Sequence, residues 1–252
     1  MKRLMAANWK MHKTREEAKE TASLLVKMVA DRLDGDREVL IIPSYTSLEV
    51  VWEQIREQEG FSLGAQNFYP AKEGAFTGEV SPGMLMDVGC SYVLVGHSER
   101  RHIMGEDEEL ISRKVSFGLD VGLNVILCIG ETLSQRRASK VEEVIVSQLT
   151  SALDPLEKDM DISHRLSIAY EPVWAIGTGE VAGEKEIREA HALIREELIR
   201  SFGERGKEVR ILYGGSVKPD NASRIIGIDN VDGVLVGGAS LNAKDFSEII
   251  LA

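Results

Sequence analysis

The sequence predicts an α/β fold, a single (β/α)8 barrel, on three observations. Eight short apolar runs recur along 252 residues, helix-period segments lie between them, and no GxGxxG turn follows the first run. The runs are rich in β-branched residues and do not alternate, which suits parallel strands buried on both faces. Repeated strand–helix alternation means parallel pairing through helical crossovers. Eight such units in about 250 residues is the size of one barrel. A doubly wound open sheet is the competing architecture, and the count of eight argues against it.

In chain order the runs are Leu4–Trp9, Val39–Ile42, Phe61–Ala65, Ser91–Gly96, Asn124–Gly130, Leu166–Glu171, Val209–Gly214 and Val231–Gly238. Phe61–Ala65 is the weakest of them. After the first run, Thr14 and Glu17 have capping-box spacing, and Ala18, Ala22, Leu25, Val29 and Leu33 follow at helical spacing. Ser81-Pro82 places an N-cap before a proline at the first helical position. Helical patterns also cover Glu106–Leu119, Glu142–Leu153, Glu184–Phe202 and Pro219–Ile226, with a short extra one over Asn242–Ile249. Six scattered prolines and the lack of a Ser/Gly-rich stretch leave no linker, so residues 1–252 read as one domain.

Composition narrows the function. Lys+Arg number 30 and Asp+Glu 41, a net charge of −11, and there is no basic tract to follow a phosphate backbone. Nucleic acid is therefore not an expected partner. No window approaches the ~20 apolar residues of a membrane span, and the start is too polar for a signal peptide. Cys90 and Cys128 are too few for a disulfide framework, so a reduced, cytoplasmic protein is expected.

In a barrel the active site forms where strands end and loops begin. Strand ends here carry Asn8-Trp9-Lys10, Gly96-His97-Ser98-Glu99, Glu171-Pro172, Tyr213-Gly214-Gly215-Ser216 and Gly237-Gly238. One cation, one imidazole and one carboxylate thus converge on one rim. Each has a plain structural reading when taken alone: solvated charge, satisfied histidine, rim salt bridge. Three such residues at three strand ends make that reading strained. The two glycine pairs end consecutive strands, where barrels commonly seat a phosphate on backbone N–H groups. Taken singly, each pair is a tight turn. Pro172 to Gly179 has the composition of a lid, longer than an ordinary connection. Cys128 ends the fifth run and reads as a small buried hydrophobe. The five histidines lack metal-ligand spacing, so neither metal nor cofactor is expected.

The stretches AANWKMH (6–12), GAQN (64–67), GAFTGEVSP (74–82), VGHSERR (95–101), CIGET (128–132), AYEPVWAIGTG (169–179), ILYGGSVKPDN (211–221) and DGVLVGGASL (232–241) closely resemble the triosephosphate isomerase family. They span the chain. The resemblance implies interconversion of dihydroxyacetone phosphate and D-glyceraldehyde 3-phosphate, hence a place in glycolysis and gluconeogenesis. Carried over by position, Glu171 is the base and His97 the electrophile that polarises the carbonyl. Lys10 offsets developing charge, with Asn8 in support. Gly177, Ser216, Gly237 and Gly238 match contacts to the phosphate, and Glu99, with Ser98 and Cys128 nearby, matches a supporting carboxylate. The resemblance also implies a homodimer in which the loop of residues 66–79 enters a second subunit and Thr77 reaches the partner's Asn8 and Lys10. Phe68, Tyr69 and Phe76 are expected to expose apolar surface there.

Three points run against the pattern. The net charge of −11 repels an anionic substrate, so a local positive patch over Lys10, Ser216 and Gly238 is expected. Glu180 and Gly183-Glu184 depart from the usual end of the lid, which bears on its hinge, although glycine still serves as an N-cap. Arg136-Arg137-Ala138-Ser139 departs in a helix expected to be without functional effect. Two other readings stay open. A Schiff-base aldolase would want a lysine where Glu171 stands, and a barrel with a decayed site would lack Lys10, His97 or Glu171.

Overall fold

The computed structural model describes residues 1–156, 162, 164–175 and 182–252. Eight strands close into a parallel barrel in chain order: β1 (Arg3–Asn8), β2 (Arg37–Ile42), β3 (Phe61–Ala65), β4 (Cys90–Val95), β5 (Asn124–Ile129), β6 (Leu166–Tyr170), β7 (Arg210–Tyr213) and β8 (Gly233–Val236). β1 pairs with β2 on one side and β8 on the other. The weakest run, Phe61–Ala65, is a strand over the expected residues. Most of the other boundaries shift by one or two residues, the largest difference being at β8.

Two apolar clusters hold the barrel. Leu4, Ala6, Leu40, Ile42, Leu94, Ile126, Leu212 and Leu235 fill its inside. The alternate residues, such as Met5, Val39, Ile41, Val125 and Ile168, pack outward against the helices. Pleating sends neighbouring side chains to opposite faces, so a strand buried on both reads as a continuous apolar run. Burying each such Leu or Ile is worth about 1.5–3 kcal/mol.

The helices are α1 (Arg15–Val29), α2 (Leu48–Ile55), α3 (Pro82–Asp87), α4 (Ser98–His102), α5 (Glu108–Asp120), α6 (Leu133–Arg137), α7 (Val141–Leu153), α8 (Glu184–Phe202), α9 (Ala222–Ile226) and α10 (Ala243–Ile250). The Thr14–Glu17 capping box forms, and Ser81 caps α3 by accepting from the Met84 N–H. Gly183 caps α8 without a side-chain bond. α9 begins three residues later than Pro219, because Lys218 to Asn221 form a turn in which the Lys218 N–H donates to the Asn221 side chain. α2 has no counterpart among the helical patterns read from the sequence.

The N-terminal end of the barrel is closed by polar groups. Arg210 donates to Glu38 Oε2 at 2.9 Å and to the Tyr92 hydroxyl at 2.8 Å, and Ser62 donates to Glu38 Oε1 at 2.9 Å. These residues come from four strands, which leaves the opposite, C-terminal end for the site.

Candidate active site at the C-terminal rim

A cavity of about 750 Å³ opens at the C-terminal ends of the strands. Asn8, Lys10, His97, Glu171, Ser216, Gly237 and Gly238 all line it. Gly177 and the second half of the expected lid, with Glu180, lie outside the described residues. Thr77 is exposed in the stretch 72–79 and does not line the cavity of its own chain.

Lys10 follows β1 in a left-handed backbone conformation, φ 52°. A lysine persists there only where its surroundings fix it. The Lys10 N–H donates to Asn8 Oδ1 at 3.0 Å, and the Lys10 carbonyl accepts from Gln66 at 2.7 Å. Its ammonium then reaches across to Glu99 Oε1 at 2.8 Å. Burial would raise the Glu99 carboxyl, but the hydrogen bond and the charge of Lys10 outweigh it and hold its pKa below the ordinary value. Gln66 escaped the sequence reading as a site residue, although GAQN carries it.

His97 is the N-cap of α4, and its Nδ1 accepts the Glu99 backbone N–H at 3.2 Å. A ring nitrogen that accepts from the main chain carries no proton, so the ring's proton sits on Nε2 and the ring is neutral. Nε2 faces Glu171 Oε1 at 3.1 Å.

Glu171 follows β6, and its side chain is only 3% exposed. Oε2 accepts the Ser98 N–H at 2.9 Å, while Oε1 takes His97. Its backbone is clamped between neighbouring strands. The Glu171 N–H donates to the Ile129 carbonyl at 2.7 Å, and the Gly214 N–H donates to the Tyr170 carbonyl at 2.8 Å. Two glycines permit that approach. A methyl at Gly130 would stand 1.8 Å from the Glu171 carbonyl oxygen, and one at Gly214 would stand 2.8 Å from its Cγ. Cys128 is fully buried beside it. Burial pushes the thiol well up, and the Glu171 carboxylate adds to that.

Beyond Glu171 the chain is anchored to Glu131, a carboxylate with no exposed side-chain surface. Glu131 accepts from the Tyr170 hydroxyl at 3.1 Å, Trp174 Nε1 at 2.8 Å and Arg136 at 3.1 Å. The Arg136 guanidinium also stacks 4.7 Å from the Trp174 ring. The helix that carries Arg136 therefore touches Trp174, inside the stretch expected as a lid. Ser216 donates to the Ala175 carbonyl at 2.9 Å, tying β7's loop to the same segment. Neither contact had a local sequence signal, since both partners are distant in the chain.

Phe68 is fully buried and packs near Gly118 and Val125, which corrects the expectation that it is exposed. Tyr69 is half-buried against Phe76 at a ring distance of 4.3 Å. Phe76, Met11, Met84, Met86, Ile103 and Met104 are among the exposed apolar side chains.

The carboxylate, neutral imidazole and ammonium stand around one cavity with two glycine-bearing loops beside them. Sequence comparison agrees with that chemistry over the full length. Proteins named triosephosphate isomerase match at 58% identity in Nitratidesulfovibrio vulgaris (strain Miyazaki F) and 54% in Oleidesulfovibrio alaskensis, each over 100% of both chains. The same name is carried by a protein of Lawsonia intracellularis, 50% identical over 100% of this chain and 98% of its own. With the triosephosphate isomerase family pattern matching residues 3–252 as well, the chain belongs to that family.

Proposed function

We propose that Glu171, His97 and Lys10 carry the proton transfer that interconverts dihydroxyacetone phosphate and D-glyceraldehyde 3-phosphate. The chain is an isomerase of triose phosphates, the reaction of its family. The observation that carries the assignment of roles is the pairing of a buried carboxylate with a neutral imidazole whose Nε2 proton faces the cavity.

A proton α to a carbonyl is a weak acid. Its removal needs a base on the carbon and stabilisation of the oxygen as charge develops there. Glu171 leaves Ser98 and His97 to take the proton from one carbon and return it to the other. His97 Nε2–H, released from Glu171, donates to the carbonyl oxygen and follows the proton between the two enediolate oxygens. A neutral imidazole suits this because its N–H acidity lies near that of an enediol. Lys10 offsets the negative charge, with Asn8 fixing its backbone and Glu99 its ammonium. Ser216, Gly237, Gly238 and Gly177 take the phosphate, and Ser98 and Cys128 shape the wall behind Glu171. A positive potential over Lys10, Ser216 and Gly238 is required to offset the net charge. A negative potential there would count against this arrangement.

We also read residues 1–252 as one domain, since β1 needs β8 to close the sheet. The exposed Phe76, Met11, Met84 and Met86 support a homodimer in which the loop 66–79 covers them, bringing Thr77 to the partner's site. The two free, buried cysteines suit the cytoplasm.

The test is isomerisation of D-glyceraldehyde 3-phosphate in EDTA by wild type and Glu171→Gln. Rapid turnover that collapses in the variant supports the roles. An active Glu171→Gln enzyme would refute them. A single 27.8 kDa species in sedimentation at micromolar concentration would remove the dimer.

A further inference from the structure

Lys13 does not line the cavity, and no motif marks it. Its backbone is left-handed, φ 72°, a conformation that disfavours any side chain. Its ammonium is nonetheless fully engaged. Nζ donates to the Leu241 carbonyl at 2.9 Å and to the Thr21 hydroxyl at 2.8 Å, and lies 5.3 Å from the centre of the Trp9 ring. Thr21 can accept because its own proton goes to the Glu17 carbonyl at 2.7 Å. The same Trp9 donates through Nε1 to the Ser240 carbonyl at 3.0 Å.

Ser240 and Leu241 end the short turn Gly238–Leu241, a 3-10 helix that follows β8. Its two last carbonyls are thus held from behind by side chains of the β1–α1 segment. At its other end, the Gly237 carbonyl accepts from both the N–H and the hydroxyl of Ser240. A turn with its carbonyls tied at the back presents its first N–H groups forward, and Gly237, Gly238 and Ala239 line the cavity.

We propose that Lys13 is a positioning residue for the phosphate of the substrate: it fixes the back of the Gly238–Leu241 turn so that the front amides meet the anion. The inference rests on the reading of Gly237 and Gly238 as phosphate contacts. It also accounts for a lysine retained where glycine would be unstrained.

The test uses the full chain with Lys13→Gly, Lys13→Met and Lys13→Arg. KM and kcat for D-glyceraldehyde 3-phosphate are measured with competitive inhibition by inorganic phosphate and the melting temperature. In the Gly and Met variants, KM and the phosphate inhibition constant are expected to rise about 5- to 10-fold with kcat within about 2-fold, the scale of one ordinary hydrogen bond. Lys13→Arg is expected to recover most of the loss. A melting temperature that moves while the phosphate constant stays fixed in both Gly and Met variants would overturn the proposal. Gly238→Val separates the two readings, because a Cβ there meets no atom within 4 Å and Gly238 lines the cavity. If Gly238→Val leaves phosphate inhibition unchanged, the loop reading falls and Lys13 with it. If Gly238→Val weakens phosphate and the Lys13 variants do not, the role of Lys13 alone falls.

Discussion

Replacing Gly130 by alanine tests how tightly Glu171, the proposed base, is held. The added methyl would stand 1.8 Å from the Glu171 carbonyl oxygen and 2.6 Å from its carbon. The closest approach that a Cβ tolerates is 3.0 Å, so the two backbones must part by about 1.2 Å. Neither strand can yield alone. The Glu171 N–H is bonded to Ile129, next to the new methyl, and the Gly130 N–H is bonded to buried Gln148 at 2.8 Å. The displacement therefore reaches the Glu171 carboxylate. A misplacement of about 1 Å in a reacting group costs on the order of 100-fold in rate, so kcat is expected to fall by about that factor. KM is expected to change far less, because Ser216, Gly237 and Gly238 stand on other loops. The left-handed φ of 156° at Gly130 and the overpacking lower stability by about 2–3 kcal/mol as well. Steady-state kinetics on the folded variant, with its unfolding midpoint alongside, decide the matter. A kcat within a few-fold of wild type would show that the Gly130 contact does not set the position of Glu171.

Other perturbations address stability. His191 is fully buried, its Nδ1 lies 2.8 Å from the Asn230 carbonyl, and burial lowers its pKa from 6.5 to about 4. The neutral ring is the folded form, so stability is full above pH 6.5 and drains as pH falls toward 4, by about 3 kcal/mol in all. His191→Gln should flatten that acid limb in denaturant titrations at pH 7 and 4.5, and an unchanged slope would exclude His191 as its source. Glu38→Leu leaves Arg210, only 6% exposed in its side chain, with the Tyr92 hydroxyl alone, and should cost about 3 kcal/mol of unfolding free energy. A loss below about 1 kcal/mol would mean that water reaches Arg210. Ser139 holds a left-handed φ of 57°, so Ser139→Gly should stabilise by about 1 kcal/mol; a lower melting temperature would contradict the strain.

The strands were legible because burial on both faces writes itself as uninterrupted apolar runs, and even Phe61–Ala65 obeyed. α2 was not, because Leu48–Ile55 is apolar at five of its eight positions and short, so its period is hard to tell from a strand's. Lys10, His97 and Glu171 could be read because barrel topology puts charged residues at strand ends in one place. Their supports could not. Gln66, Glu131, Arg136 and Lys13 act across 38 or more residues of chain, through contacts that no local pattern encodes. Arg136 is the plainest case: its helix is remote from the phosphate in sequence logic, yet its guanidinium packs on Trp174.

The pairing of β1 with β8 also sets an order of events during synthesis. β1 leaves the ribosome first and can find β2 at once, but its other edge waits for Gly233–Val236. Until then an apolar strand edge stands open, the kind of edge that recruits other chains. The Trp9 bond to Ser240, spanning 231 residues, completes the rim only at that last stage. A nascent chain stalled before β8 thus carries Lys10, His97 and Glu171 but neither a closed barrel nor the Gly237–Gly238 loop. The making of β8, more than that of any earlier strand, is the step that closes the barrel and completes its rim.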